Sequence, residues 1–309
     1  HFTDIFVDDN FRMKNCIVIP TYKTVPNEWE VISLTQCFKI LNRYDMYIVT
    51  YQSIDLDFYR NLAQQFNVEL NVKYFDEIYF KNITGYNFLM LNRSFYSSFS
   101  DYDYLLIYQL DCFVFKDELN YWTAKGYDYI GSPWFADYGD YDQNKPFWYN
   151  GNGGFSIRRI KSFLRVFDWK GPLRKMPQIK HDLRNLDINK YKKEILYCFI
   201  WLGYHNTISN FWKKMGYDQT KITEAFTDGQ LRANEDVLWT NMFKYARVVI
   251  KTPDFEGGLG FSFERSPQYL FEKNNNILPF GCHAWWKYDL EFWKPYITKF
   301  GYEIPLKED

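Results

Sequence analysis

Short, strongly apolar runs alternate with helically spaced segments along the first third of the chain, and this alternation limits the folds open to it. Residues 16–20 (CIVIP) and 104–108 (YLLIY) are apolar runs that read as buried strands, 44–51 (YDMYIVTY) reads as a second strand between them, and 70–75 reads as extended. Between them, Asn27 and Glu30 have the spacing of a capping box, and Leu34, Cys37, Phe38 and Leu41 repeat with the period of one helix face. Residues 56–66 and 86–99 also carry helical spacing. Strand and helix in strict alternation predict an α/β fold, a mostly parallel sheet flanked by helices, with ligands beyond the carboxyl ends of the strands.

The second half is less regular. Residues 137–150 are polar and aromatic, and residues of about 170–230 are predicted to form a helical insertion rich in Lys, Asn and Asp. We expect a single domain over 1–309, its first half at 14–135 and its second at 136–309.

Charge excludes some partners. Lys and Arg number 37 against 38 Asp and Glu, so no global field draws nucleic acid or anionic lipid, and phosphate chemistry must be local. The five cysteines (Cys16, Cys37, Cys112, Cys198 and Cys282) are scattered without CxxC spacing, which points to neither a disulfide framework nor a zinc cage and suits a reducing cytoplasm. No apolar run approaches the roughly 18 residues of a membrane span. The start at His1, without an initiator Met, reads as a tag remnant or a domain cut from a longer protein. Aromatic residues make up 22% of the chain, which serves core filling and, at a minority of positions, stacking on sugar rings.

Four segments place polar or glycine residues where the pattern otherwise reads as core. In YLLIYQLDCFVF, Asp111 follows a buried strand, so its carboxylate needs a partner: either a hard divalent cation shared with diphosphate oxygens, or the turn near Asp117 that it would cap. In NGNGGFS, the glycines Gly151, Gly153 and Gly154 permit positive φ and close backbone approach to a ligand, or simply a turn into a helix from Arg158 onward. The Walker ending is absent. In ANEDVLW, Glu235 and Asp236 either favour a helix dipole or supply a general base to a substrate hydroxyl. In LPFGCHAWW, His283 is either a buried structural histidine or a neutral imidazole joining Asp111 on a metal.

Together these segments resemble the GT-A glycosyltransferases, in which an acidic metal motif after a strand, a glycine-rich loop, an xED motif and a late histidine run in this order. YQLDCFVF, YDYIGSPWF, GNGGFSIRR, NEDVLW and PFGCHAW are most similar to an uncharacterised bacterial family found among polysaccharide-assembly enzymes of O-antigen or capsule type. The resemblance runs from CIVIP to FWKPY and implies a GT-A-like, Rossmann-like fold. It implies a nucleotide-sugar donor, a UDP-sugar above others, bound by residues 14–135, and a glycan or lipid-linked glycan acceptor facing 136–309. It also implies that Asp111 and His283 hold Mn²⁺ or Mg²⁺, that Gly153 and Gly154 line the junction of donor and acceptor, and that Asp236, with Glu235 beside it, is the base of an inverting transfer. Thr21, Tyr22, Tyr86 and Asn87 match the region that contacts uridine. One position departs from the pattern: Gln109 stands where the family's Asp-x-Asp motif has its first carboxylate, which weakens the metal site while leaving a carbonyl for ribose or metal.

The implied location is cytoplasmic, peripheral at the inner face of the membrane where the acceptor is lipid-linked. Two other functions fit the same residues. A non-catalytic carbohydrate-binding module would use Trp134, Trp148, Trp285 and Trp286 as stacking platforms. A metal-dependent nucleotide-sugar hydrolase or nucleotidyltransferase would use the same metal and diphosphate site.

Overall fold

The computed structural model describes residues 13–136, 139–144, 146–167, 234–242 and 250–305. The helical insertion expected at about 170–230 lies outside the described residues. The strands are β1 (Asn15–Pro20), β2 (Asp45–Thr50), β3 (Leu70–Tyr74), β4 (Tyr104–Tyr108), β5 (Phe113–Val114), β6 (Tyr129–Ile130), β7 (Pro133–Phe135), β8 (Phe147–Asn150), β9 (Phe155–Arg159), β10 (Ser262–Phe263) and β11 (Gly281–Cys282). The main helices are α1 (Glu28–Leu41), α2 (Asp57–Gln64), α3 (Ile83–Met90), α4 (Arg93–Ser97), α5 (Leu119–Ala124) and α6 (Ile160–Phe167).

The central sheet has the order β3-β2-β1-β4-β9-β6, with β3, β2, β1 and β4 parallel and β9 antiparallel to both β4 and β6. This is the mostly parallel, helix-flanked sheet that the alternation predicts. Both faces are covered. Along β4, Leu105 and Ile107 join a core with Phe88, Phe95 and Phe163 from α3, α4 and α6. Its alternate residues Tyr104, Leu106 and Tyr108 join Leu34, Phe38, Leu41 and Tyr59 from α1 and α2 on the other side. Burial on two faces is why these strands are continuous apolar runs rather than alternating ones. Each fully buried aliphatic or aromatic side chain contributes about 1.5–3 kcal/mol.

Helix α1 opens with the predicted capping box: Asn27 Oδ1 accepts the Glu30 amide and Glu30 Oε2 accepts the Asn27 amide, both at 2.9 Å. Two local expectations are corrected. The helix predicted over 86–99 is two helices, α3 and α4, because the Asn92 side chain caps a fresh start by accepting the Ser94 amide. The helix offered from Arg158 onward begins at Ile160 instead, because Phe155–Arg159 is strand β9, paired along its whole length with β4 and through Ile157 and Arg158 with β6.

The chain passes from β1 outward through β2 to β3, then crosses back to lay β4 on the opposite side of β1. The carboxyl ends of β1 and β4 therefore flank the point where the winding reverses, where an open α/β sheet leaves a crevice. A second sheet, β10-β11-β5, sits beyond it and packs Phe113, Phe263, Trp285 and Trp293 into a third core.

Candidate active site

Two cavities open at this crevice. The first, about 360 Å³, is bounded by Thr21 and Tyr22 after β1, by Gln109 and Asp111 after β4, and by Lys23 and Lys81. The second, about 260 Å³, is bounded by Asn152, Gly153, Gly154, Asp236, Glu264 and His283. Ile83, Tyr86, Gln109, Asp111 and Lys287 line both, so the two cavities are neighbours across one wall.

Strand pairing explains how distant segments reach that wall. Tyr108 pairs with Phe155 across β4 and β9, which sets the glycine loop beside the Gln109–Asp111 turn, and the Gln109 amide donates to Gly154 O at 2.9 Å. In the small sheet, β11 pairs with β5, which follows Asp111, and with β10, which precedes Glu264. Asp111, Glu264 and His283 thus each stand just outside one of the three strands of this sheet.

The result is a chain of polar contacts. His283 Nε2 lies 3.2 Å from Asp111 Oδ1 and 3.2 Å from Gln109 Oε1. His283 Nδ1 lies 2.9 Å from Glu264 Oε1. The other Glu264 oxygen accepts from the Asn152 side-chain amide, whose Oδ1 takes the Gly154 and Phe155 amides at 2.5 and 2.9 Å. Those two backbone donors fix which way the Asn152 amide faces. Burial lowers the basicity of His283, but the Asp111 and Glu264 carboxylates outweigh it and push the imidazole up to about 10. Burial acts to raise Asp111, and His283 with Lys287 overcomes it and holds the carboxyl well below the usual range.

The donor set fits a divalent cation. One carboxylate oxygen, one imidazole nitrogen and one amide oxygen converge, and the far nitrogen of the imidazole is held by a carboxylate, as metal-ligating histidines commonly are. Cys112 also lies within ligand range of Asp111 and His283, but burial keeps its thiol protonated and it donates to Gly154 O at 3.2 Å.

At Gly154 the requirement for glycine is steric: an added Cβ would fall on the His283 ring and on Gln109 Oε1. Positive φ, the other reason the sequence offers, is not used in this loop. Gly153 accepts from Tyr86 Oη through its carbonyl at 2.5 Å.

Glu235 and Asp236 have different surroundings. Glu235 is fully buried and forms a bidentate pair with Arg158 of β9, at 2.7 and 3.1 Å, beneath the glycine loop. Burial pushes its carboxyl up and the guanidinium opposes that rise. Asp236 lines the second cavity; its Oδ2 accepts from Tyr149 Oη at 2.9 Å, and its buried Oδ1 has no hydrogen-bond partner among the described residues. Burial lifts the Asp236 carboxyl to about 6.

Thr21 and Tyr22 line the first cavity, Thr21 buried with its hydroxyl 2.7 Å from Tyr59 Oη and Tyr22 exposed at the rim. Tyr86 lines both cavities. Asn87 lines only the second, where its Oδ1 accepts the Glu235 amide at 3.2 Å. Of the tryptophans singled out as stacking platforms, Trp134 lines the second cavity while Trp285 is fully buried in the third core, its indole N–H on Ser33. Sequence reasoning missed Lys287, Glu264, Asn152, Tyr149 and Arg158. Lys287 follows His283 by four residues and Asn152 lies inside the glycine segment, so proximity to a motif was the available signal; Glu264 had none.

The family described as "Protein of unknown function (DUF5672)" matches over residues 69–283. The chain belongs to this family. A match of that extent contains every polar group of the crevice from Tyr86 to His283. Comparison with curated proteins returns no match to this DUF5672 chain. Among solved structures it is similar to apo mouse xyloside xylosyltransferase 1, with 6% identity over 87% of this chain and 97% of that one and a TM-score of 0.45. It is similar to the apo form of glycosyltransferase GlyE of Streptococcus pneumoniae, with 11% identity over 93% of this chain and 63% of that one and a TM-score of 0.43. It is similar to core-mannan synthase A of Aspergillus fumigatus in its Mn/GDP form, with 9% identity over 49% of this chain and 61% of that one and a TM-score of 0.34. The chain spans less than two thirds of the length of the pneumococcal and fungal proteins. At these scores the likenesses carry no weight for function. Among the described residues, no helix is long and apolar enough to cross a membrane.

Proposed function

We propose that this DUF5672 chain is a glycosyltransferase that moves a sugar from a nucleotide-sugar donor, a UDP-sugar above others, to a glycan or lipid-linked glycan acceptor with inversion. The observation that carries this reading is Asp236: a buried carboxylate, held through one oxygen by Tyr149, whose second oxygen has no partner among the described residues and which lines a cavity adjoining the strand-end cavity.

In this scheme residues 14–135 hold the nucleotide and residues 136–309 face the acceptor. Thr21 and Tyr22 border the base and ribose, and the lysines of the first cavity lie toward the diphosphate. Asp111, His283 and the Gln109 carbonyl would hold Mn²⁺ or Mg²⁺, which when bound neutralises charge on the diphosphate leaving group. Glu264 orients His283 for that task, and Asn152 holds Glu264. Asp236 takes the proton of the acceptor hydroxyl as its oxygen bonds to the anomeric carbon and the bond from that carbon to the diphosphate breaks. One displacement inverts that carbon. An ionisation near 6 suits a base working at neutral pH, being mostly ionised and still basic. Glu235 lines neither of the two cavities; its pair with Arg158 positions Asp236 and the glycine loop.

The test is a thermal-shift titration with UDP, GDP and CMP, each with and without Mn²⁺, followed by product analysis. A ligand that binds the folded state raises the melting point by mass action. Stabilisation by UDP that needs Mn²⁺ and is lost in Asp111→Ala, with sugar joined to an acceptor rather than released free, is the expected result. No shift with any nucleotide would overturn the reading.

A further inference from the structure

Lys287 stands in an unusual relation to the metal-binding carboxylate. Ala284, with φ of 54°, turns the chain just after His283, and the Lys287 amide closes the turn on Ala284 O at 2.9 Å. The turn brings both side chains to one carboxylate: His283 to Oδ1, and Lys287 Nζ to Oδ2 at 2.5 Å. The partners differ in freedom. The Asp111 side chain is 10% exposed and fixed at a strand end, whereas Lys287 is 54% exposed on a flexible stem. Lys287 also lines both cavities, so its ammonium can reach the first cavity without the backbone moving.

A hard cation on Asp111 needs the same carboxylate that Lys287 holds. With Gln109 in place of a second carboxylate, Asp111 is the one acidic ligand of the proposed donor set, and lysine and metal compete for it directly. We infer that Lys287 is an exchange partner: it neutralises Asp111 while no nucleotide is present, and transfers to the diphosphate oxygens of the donor when metal and nucleotide bind. The inference rests on the nucleotide-sugar reading above. It makes the lysine a binding group for the nucleoside diphosphate and an antagonist of the metal in the nucleotide-free protein, two effects of opposite sign in one residue.

Lys287→Met, which keeps the length of the stem, separates them. Binding of Mn²⁺ alone is followed by the resonance of free Mn²⁺, and binding of UDP at saturating Mn²⁺ by calorimetry, with Lys287→Arg as the charge-retaining control. The variant should bind Mn²⁺ alone more tightly, on the order of fivefold for loss of one partly exposed ion pair. It should bind UDP about tenfold more weakly for loss of a charge-assisted hydrogen bond, and Lys287→Arg should recover most of that loss. Unchanged or weaker Mn²⁺ binding, or unchanged UDP binding, overturns the exchange. Wild-type protein that binds neither Mn²⁺ nor UDP overturns the functional reading and this inference with it, and is distinguishable because no variant is needed to see it.

Discussion

Glu264 Oε1 lies 2.9 Å from His283 Nδ1, and this contact decides that Nε2 is the nitrogen facing Asp111 and Gln109. The carboxylate is itself held by the Asn152 side-chain amide, so the orientation of the imidazole is tied to the glycine loop. For Nε2 to bind a metal the ring must keep its remaining proton on Nδ1, where Glu264 accepts it.

Glu264→Gln therefore weakens the metal site without removing a ligand. By the usual worth of such supporting carboxylates, Mn²⁺ affinity should fall by about 10–100-fold. The measurement is Mn²⁺ binding by magnetic resonance, with the circular dichroism spectrum unchanged as the control for folding. Equal affinity in wild type and variant would reduce Glu264 to a packing group.

Asp236→Asn should abolish transfer and stabilise the protein. The sign follows from linkage. The unfolded carboxyl releases its proton near 3.8, while the folded one keeps it until about 6, so the stability gained from protonation is present at low pH and is lost as pH rises through 6. Above pH 6 the folded wild type carries a buried charge that asparagine lacks, a difference of about 2–3 kcal/mol. Melting temperatures of the two proteins should converge near pH 4 and separate by several degrees at pH 7, with the variant higher.

The same ionisation shapes the rate. If Asp236 is the base, kcat/KM falls tenfold per pH unit below about 6 and levels off above it. A flat profile between pH 5 and 7 would remove Asp236 from the proton transfer.

Arg158 and Glu235 make a fully buried bidentate pair, 2.7 Å at its shorter contact. Arg158→Met leaves the Glu235 carboxylate without its cation and should cost about 3–5 kcal/mol in urea unfolding. Arg158→Met with Glu235→Gln should recover much of that loss, because no uncompensated charge remains. If the double variant is as unstable as the single one, packing rather than charge is the dominant role of the pair.

Much of the fold was legible in the sequence for local reasons. Apolar runs buried on both faces, the capping box at Asn27 and Glu30, and the helical period through Leu34, Phe38 and Leu41 are properties of neighbouring residues. Asp111, Gly154, Asp236 and His283 were also visible, since a carboxylate after a buried strand, a glycine cluster and a histidine among aromatics each break a pattern. The break at Asn92 and the strand at Phe155–Arg159 were not, because helical and extended readings of a short apolar stretch differ only in the partners available to it.

Local residue patterns suffice for the alternation that makes a helix-flanked parallel sheet and for the polar residues that interrupt it. Which of those residues meet depends on the folded chain. Strand register places Gly154 against Gln109 and sets Glu264 and His283 at the ends of paired strands, and the left-handed turn at Ala284 brings Lys287 onto Asp111. The different fates of Glu235 and Asp236, one sealed against Arg158 and the other at the wall of a cavity, arise the same way. Adjacent residues share a sequence environment but not a spatial one, and the free energy of a carboxylate is set by the charges and dipoles within a few ångströms of it.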